Sequence, residues 1–149
     1  MDASDWALLL VQKQFPAMPQ LESNITRAWI RQYGRDYDSL DFNVRLGKGQ
    51  DIQPGIPAST AGQFDKITRK RADIVAHAGT WVDILEVKGR ASLSAIGQLI
   101  GYRQLWTDER PTFIVRRLIV VAQLIDDDVR RVFQTNGIQS YILEPEPWK

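Results

Sequence analysis

The chain has 149 residues, 44% hydrophobic and 25% charged, which fits a single domain spanning residues 1–149 with a real core. It carries no cysteine and one histidine, which excludes disulfides, thiolate zinc sites, a cysteine nucleophile and multi-histidine metal sites within one chain. A net charge of +1 gives no global basic field, so any contact with nucleic acid must come from local patches.

In chain order, residues 4–14 predict a short helix with Ser4 or Asp5 at its start, broken by the PAMP stretch (Pro16 to Pro19). Its apolar run WALLLV is short for a signal core and follows two aspartates, and no run reaches membrane-spanning length. The expectation is a soluble, intracellular, cytoplasmic protein with no membrane partner. A second helix is predicted over 21–33, with Leu21, Ile25, Ala28, Trp29 and Tyr33 at helical spacing and Gly34 as a stop. Residues 41–49 read as a strand, because Phe42, Val44 and Leu46 alternate. Residues 50–68 are rich in Gly, Pro, Ser and Thr and read as a long loop, the kind that is usually functional or disordered. The loop runs into KITRKR (66–71), the densest basic cluster of the chain.

A β-hairpin is predicted over 71–90, with its turn near Ala78-Gly79. A helix over 92–106 follows, with Ser92 as its cap. The apolar run 112–124 suits a buried central strand, residues 126–137 a short helix ending at Gly137, and residues 138–143 a last strand. The order α, α, β, β, β, α, β, α, β predicts an α/β fold with a mixed central sheet flanked by helices.

The hairpin carries the chemistry. Side chains alternate along a strand, so Val82, Ile84, Glu86 and Lys88 share one face and Asp83 points to the other. An even-numbered loop pairs Asp73 with Ile84 or Glu86. Either register puts Asp73 and Glu86 on one face, roughly 5–8 Å apart. Two carboxylates that close cannot both stay ionised without a compensating charge, which a divalent cation supplies. Lys88 holds an ammonium on the same side, where it can orient a water or stabilise a negatively charged transition state. Two acids, a metal and a lysine form a device for phosphodiester hydrolysis. The bland alternative is a hairpin with one solvated face, on which an acid and a lysine form a cross-strand pair.

Asp73, followed thirteen residues later by Glu86-Val87-Lys88, resembles the D-x(n)-ExK signature of the PD-(D/E)xK nuclease superfamily. The helix after it carries Gln98 and Tyr102, similar to the QxxxY motif of the RecB and λ-exonuclease branch. Ala72 stands where the family name has proline. The resemblance covers about residues 21–143. It implies a restriction-endonuclease-like core and a metal-dependent nuclease, in which Asp73, Glu86 and the Val87 carbonyl bind Mg²⁺ or Mn²⁺ and Lys88 positions the water. It further implies that Gln98 and Tyr102 support the site and that Glu22, in the upstream helix, completes it. DNA is the expected substrate, with RNA open, in replication, repair, recombination or phage DNA processing. Exonuclease and endonuclease stay undivided, as do a homo-oligomer and a partner protein.

Lys48, Lys66, Arg69, Lys70 and Arg71 are the candidate contacts for the nucleic-acid backbone. Arg90 and Arg103 are weaker candidates. His77, beside the turn, reads as structural, and Asp65 and Asp83 as acids outside the site. Gly97 and Gly101, one helical turn apart, predict a close approach of their helix to the sheet. A non-catalytic nucleic-acid-binding or assembly subunit on the same fold is the alternative function. A structural α/β domain is the third.

Overall fold

The computed structural model describes residues 2–47 and 70–149. Its elements are α1 (Ala3–Leu10), α2 (Gln20–Tyr33), β1 (Ser39–Leu46), β2 (Lys70–Ala78), β3 (Trp81–Ala91), α3 (Ser94–Glu109), β4 (Ile114–Ile125), α4 (Asp127–Thr135) and β5 (Ile138–Ile142). A 3₁₀ turn, Gly34–Asp36, follows α2. The strands form one sheet in the order β1-β2-β3-β4-β5. β1, β2 and β3 are antiparallel neighbours, whereas β3, β4 and β5 run parallel. This is the mixed α/β fold expected from the sequence.

The connections follow from loop length. β2 and β3 are joined by Gly79 and Thr80 alone, and Gly79 takes the left-handed φ of 62° that tight hairpin turns demand. Parallel strands need longer crossovers, which α3 and α4 provide. Both crossovers step the same way across the sheet, so both helices cover one face. Ala95, Leu99, Tyr102 and Trp106 of α3 and Phe133 of α4 pack there on Val75, Val82, Ile84, Leu118 and Val120. On the other face, Trp6 of α1 and Ile25, Trp29 and Ile30 of α2 cover Ile74, Leu85, Val87, Ile119 and Val121. β3 and β4 are therefore apolar on both faces, and each large side chain so buried contributes roughly 1.5–3 kcal/mol.

Element ends differ from expectation for local reasons. α1 starts at Ala3, because the Asp2 carboxylate accepts the Asp5 N–H and the Asp5 carboxylate accepts the Asp2 N–H in return, and it ends at Leu10. α3 begins at Ser94, and the Ser92 hydroxyl pairs with that of Ser94 at 2.8 Å instead of capping the helix. β1 breaks the simple alternation. Phe42 packs into the α1/α2 core, whereas Val44 and Leu46 pack into the α3 core. The strand turns over at Asn43, which has a φ of 53°.

α2 is anchored by Arg27, which is only 2% exposed. It donates to the carbonyls of Gln12, Lys13 and Glu146, tying the α1–α2 linker and the tail beyond β5 to the helix that carries Glu22. Among the described residues, no helix is long and apolar enough to cross a membrane.

Candidate active site

Asp73 is left out of two ladders at once. The β2–β3 pairing ends at Ile74 opposite Leu85. The β1–β2 pairing runs from Phe42–Ile74 to Val44–Ala72 and omits the Asn43–Asp73 pair between them. Most L-residues avoid a left-handed φ, but asparagine tolerates it best after glycine. The turn at Asn43 lets β1 and β2 twist together there. Freed from regular pairing, the Asp73 carboxylate reaches across to β3 and accepts the Val87 N–H at 2.8 Å.

That hydrogen bond orients the next strand. A strand residue sends its N–H and C=O to the same edge, so the Val87 carbonyl also faces the gap beside Asp73. Glu86 is 2% exposed. Its Oε2 lies 3.4 Å from Lys88 Nζ, whose side chain is half-buried. From α3, Tyr102 is buried beside Glu86 and Asp73, and Gln98 stands one turn before it. From the other face, α2 lies directly on Gly89. A Cβ there would come within 2.9 Å of Leu21 Cδ2 and 3.9 Å of Glu22 Oε1, so glycine is what admits the helix end that carries Glu22.

The electrostatics match the geometry. Burial raises the Asp73 carboxyl above its ordinary range, the Val87 N–H and Lys88 oppose this, and Glu22 adds to it. Burial pushes Glu86 up to about 7, with the Asp73 charge adding to the rise and Lys88 opposing it. The Tyr102 hydroxyl is raised too, by burial first and then by the two carboxylates. The apo pair therefore holds a proton near neutrality. Among the described residues, two buried oxygens, Glu86 Oε1 and Gln98 Oε1, lack a hydrogen-bond partner, although such atoms are normally satisfied. Partnerless oxygens, two carboxylates and a backbone carbonyl are the donors a hard divalent cation takes. Among the described residues no three Asp, Glu or His side chains converge as a ready cage. The set that could hold a cation is thus Asp73, Glu86 and the Val87 carbonyl.

Several solved structures resemble the chain. A complex of EndoMS with double-stranded DNA aligns over 90% of this chain and 48% of that one, at 19% identity and a TM-score of 0.49. A repair endonuclease from Pyrococcus abyssi aligns over 88% of this chain and 50% of that one, at 17% identity and a TM-score of 0.49. The chain spans about half the length of these proteins. No protein-family model and no curated protein matches it.

Of the residues singled out in the sequence, Asp73, Glu86, Val87, Lys88 and Tyr102 come together on β3, Glu22 approaches from Gly89, and Gln98 lines the adjoining groove with Tyr102. Lys70 joins them at the rim, where it lines a groove of about 530 Å³ with Gln98, Tyr102, Gly97 and Gly101. The two glycines do not press the helix onto the sheet, as their spacing suggested. Among the described residues a Cβ at either would meet nothing within 4 Å, and both border the groove. Arg71 follows Lys70 on β2. Lys48, Lys66, Arg69, Asp65 and the 50–68 loop lie outside the described residues. Arg90 is held by Asp126 through two contacts of 2.9 Å. His77 sits 2.8 Å from Asp41 with its ring against Trp106 and Phe113, a packed position away from the acids. Asp83 lies on the α1/α2 face, fully buried, taking a hydrogen bond from the Tyr37 hydroxyl at 2.6 Å and two from Arg116 at 2.8 and 3.1 Å.

Sequence reasoning missed Asn43 and Gly89. Asn43 stands in mid-strand between Phe42 and Val44, where the sequence alone does not report its left-handed φ. Gly89 immediately follows the Glu86-Val87-Lys88 motif, where a flat strand surface is needed.

Proposed function

We propose that the chain is a metal-dependent phosphodiester hydrolase acting on DNA. The observation that carries this reading is the release of Asp73 from both ladders, which sets it on β3 beside buried Glu86 and within reach of Lys88. A structural hairpin has no need to interrupt its pairing at an acid or to bury a second acid with an unpartnered oxygen.

In this reading Asp73, Glu86 and the Val87 carbonyl hold Mg²⁺ or Mn²⁺. The bound cation supplies positive charge that lets both carboxylates ionise and that offsets charge on the phosphate under attack. Lys88 positions the water and meets charge that develops on the phosphoryl oxygens. Glu22, at the mouth of the site, orients the same water from the α2 side. Tyr102 and Gln98 hold Glu86 in place from α3. Lys70 and Arg71 contact the backbone of the nucleic acid at the rim. Hydrolysis forms a bond from the water oxygen to phosphorus, breaks the bond to the leaving sugar oxygen, and leaves a proton on that oxygen. The Gln98–Tyr102 pair favours work on ends, flaps or branches in DNA processing.

The test is a cleavage panel of single-stranded, blunt, flapped and four-way DNA, plus RNA, with Mg²⁺ or Mn²⁺. Wild type should cut in a metal-dependent way, and Asp73→Ala and Lys88→Ala should each lose activity by at least about a hundredfold. Metal binding without cutting of any substrate would favour a non-catalytic binding subunit instead.

A further inference from the structure

Beyond the Asn43–Asp73 gap the β1–β2 ribbon pairs again, and its first two register positions place Val44 opposite Ala72 and Arg45 opposite Arg71. Val44, Leu46 and Ala72 belong to the α3-side core, so the intervening arginines project from the other surface of the ribbon. Arg45 is exposed and Arg71 half-buried. Residues directly opposed in an antiparallel pair have Cβ atoms about 4.5–5.5 Å apart, and like charges there are destabilising. Among the described residues neither guanidinium has a carboxylate within ion-pairing distance. Among the described residues the ribbon therefore sets two guanidinium forks side by side with no carboxylate between them, an arrangement in which like charges repel.

A tetrahedral anion removes that conflict, because two guanidinium forks can each donate two hydrogen bonds to one phosphate. The location decides which phosphate. Arg45 and Arg71 lie two residues along their strands from Asn43 and Asp73, a displacement of about 7 Å. That is the scale of one nucleotide of backbone. We propose that Arg45 and Arg71 form a clamp for the backbone phosphate next to the one that is cut. This rests on the nuclease reading for its substrate, but its binding chemistry does not need catalysis. Lys70, which faces the groove on the α3 side, touches the nucleic acid from the opposite surface and is not part of the clamp.

Binding of a fluorescein-labelled DNA duplex is followed by anisotropy in EDTA, across a salt series, for wild type, Arg45→Gln, Arg71→Gln and the double variant. The double variant should bind about tenfold more weakly, with a salt slope lower by about one phosphate contact. Arg45→Lys, which keeps the charge and loses the fork, should fall between wild type and Arg45→Gln. In thermal melts at low salt without DNA, Arg45→Gln should melt above wild type, because the repulsion is gone. Millimolar inorganic phosphate should raise the wild-type midpoint less than the duplex does. Equal affinity and slope in wild type and double variant would overturn the clamp, as would failure of wild type to bind duplex. A wild type that responds to inorganic phosphate but not to the duplex would overturn it as a nucleic-acid site. The two readings separate cleanly. Arginine-dependent DNA binding without cleavage sinks the nuclease alone, and undiminished cleavage by the double variant sinks the clamp alone.

Discussion

Glu86 carries the cost of the site in the free protein. Its carboxyl is pushed up to about 7 in the fold, against an ordinary 4.5, so the folded chain keeps a proton that the unfolded chain releases over that interval. The stability it contributes is fully present below about pH 4.5 and is lost as pH rises through 7, by on the order of 3 kcal/mol. Thermal melts of metal-free protein should therefore fall between pH 5 and pH 8. Glu86→Gln should flatten that dependence and melt higher at pH 8, while abolishing cleavage. A Glu86→Gln melt as pH-dependent as wild type would show that another group titrates. Asn43 makes a complementary prediction. Asn43→Gly keeps the left-handed backbone within reach and should retain folding and cleavage. Asn43→Val forces a β-branched residue into that conformation, which should cost about 1–2 kcal/mol and reduce cleavage by detaching Asp73 from Val87. Loss of the Val87 amide's protection from exchange in Asn43→Val, but not in Asn43→Gly, would report that detachment directly.

At the scale of elements, much of the hairpin was legible because strand period is strict. Alternation and an even-numbered loop put Asp73 on the side of Glu86 and sent Asp83 to the other; the Asp73 carboxylate reaches the Val87 N–H, and Asp83 lies against Tyr37. The helical spacing of Gln98 and Tyr102 likewise put both on one face of their helix, and both line the groove beside Lys70. What stayed hidden depended on single backbone torsions and on contacts between distant elements. In DFNVRL an asparagine between two apolar residues reads as an ordinary solvent-facing position, so the turnover that sends Phe42 and Val44 into different cores is invisible until φ is known. Gly97 and Gly101 misled for a related reason. Glycine marks either close packing or an open surface, and only the neighbouring elements decide which. Glu22 could be read as an acid early in a helix, but its approach to β3 depends on Gly89 and on the anchoring of α2 by Arg27.

At the scale of the molecule, two buried acids on β3 serve different ends. Glu86 has an oxygen without a partner, whereas Asp83, three residues earlier and on the other face, is saturated by Tyr37 and Arg116 with Arg117 at 3.9 Å. Asp83 locks the start of β3 to β4 and to the segment after α2. Asp83→Asn should destabilise by roughly 2–4 kcal/mol, toward the lower end because Arg116 keeps about a third of its side chain in water. Cleavage per folded molecule should hardly change, so a melt and a rate measured on the same sample distinguish the two acids.

The gap at Asp73 also divides the β1–β2 ribbon mechanically. Its inner part, from Ser39 to Phe42 with Ile74 to His77, sends Phe42 and Ile74 into the α1/α2 core, and its outer part, from Val44 to Leu46 with Lys70 to Ala72, packs against α3. Between the two parts lies the residue pair Asn43 and Asp73. The two parts join through Asn43 and Asp73, so a shift of one against the other is felt at the hydrogen bond between the Asp73 carboxylate and the Val87 N–H.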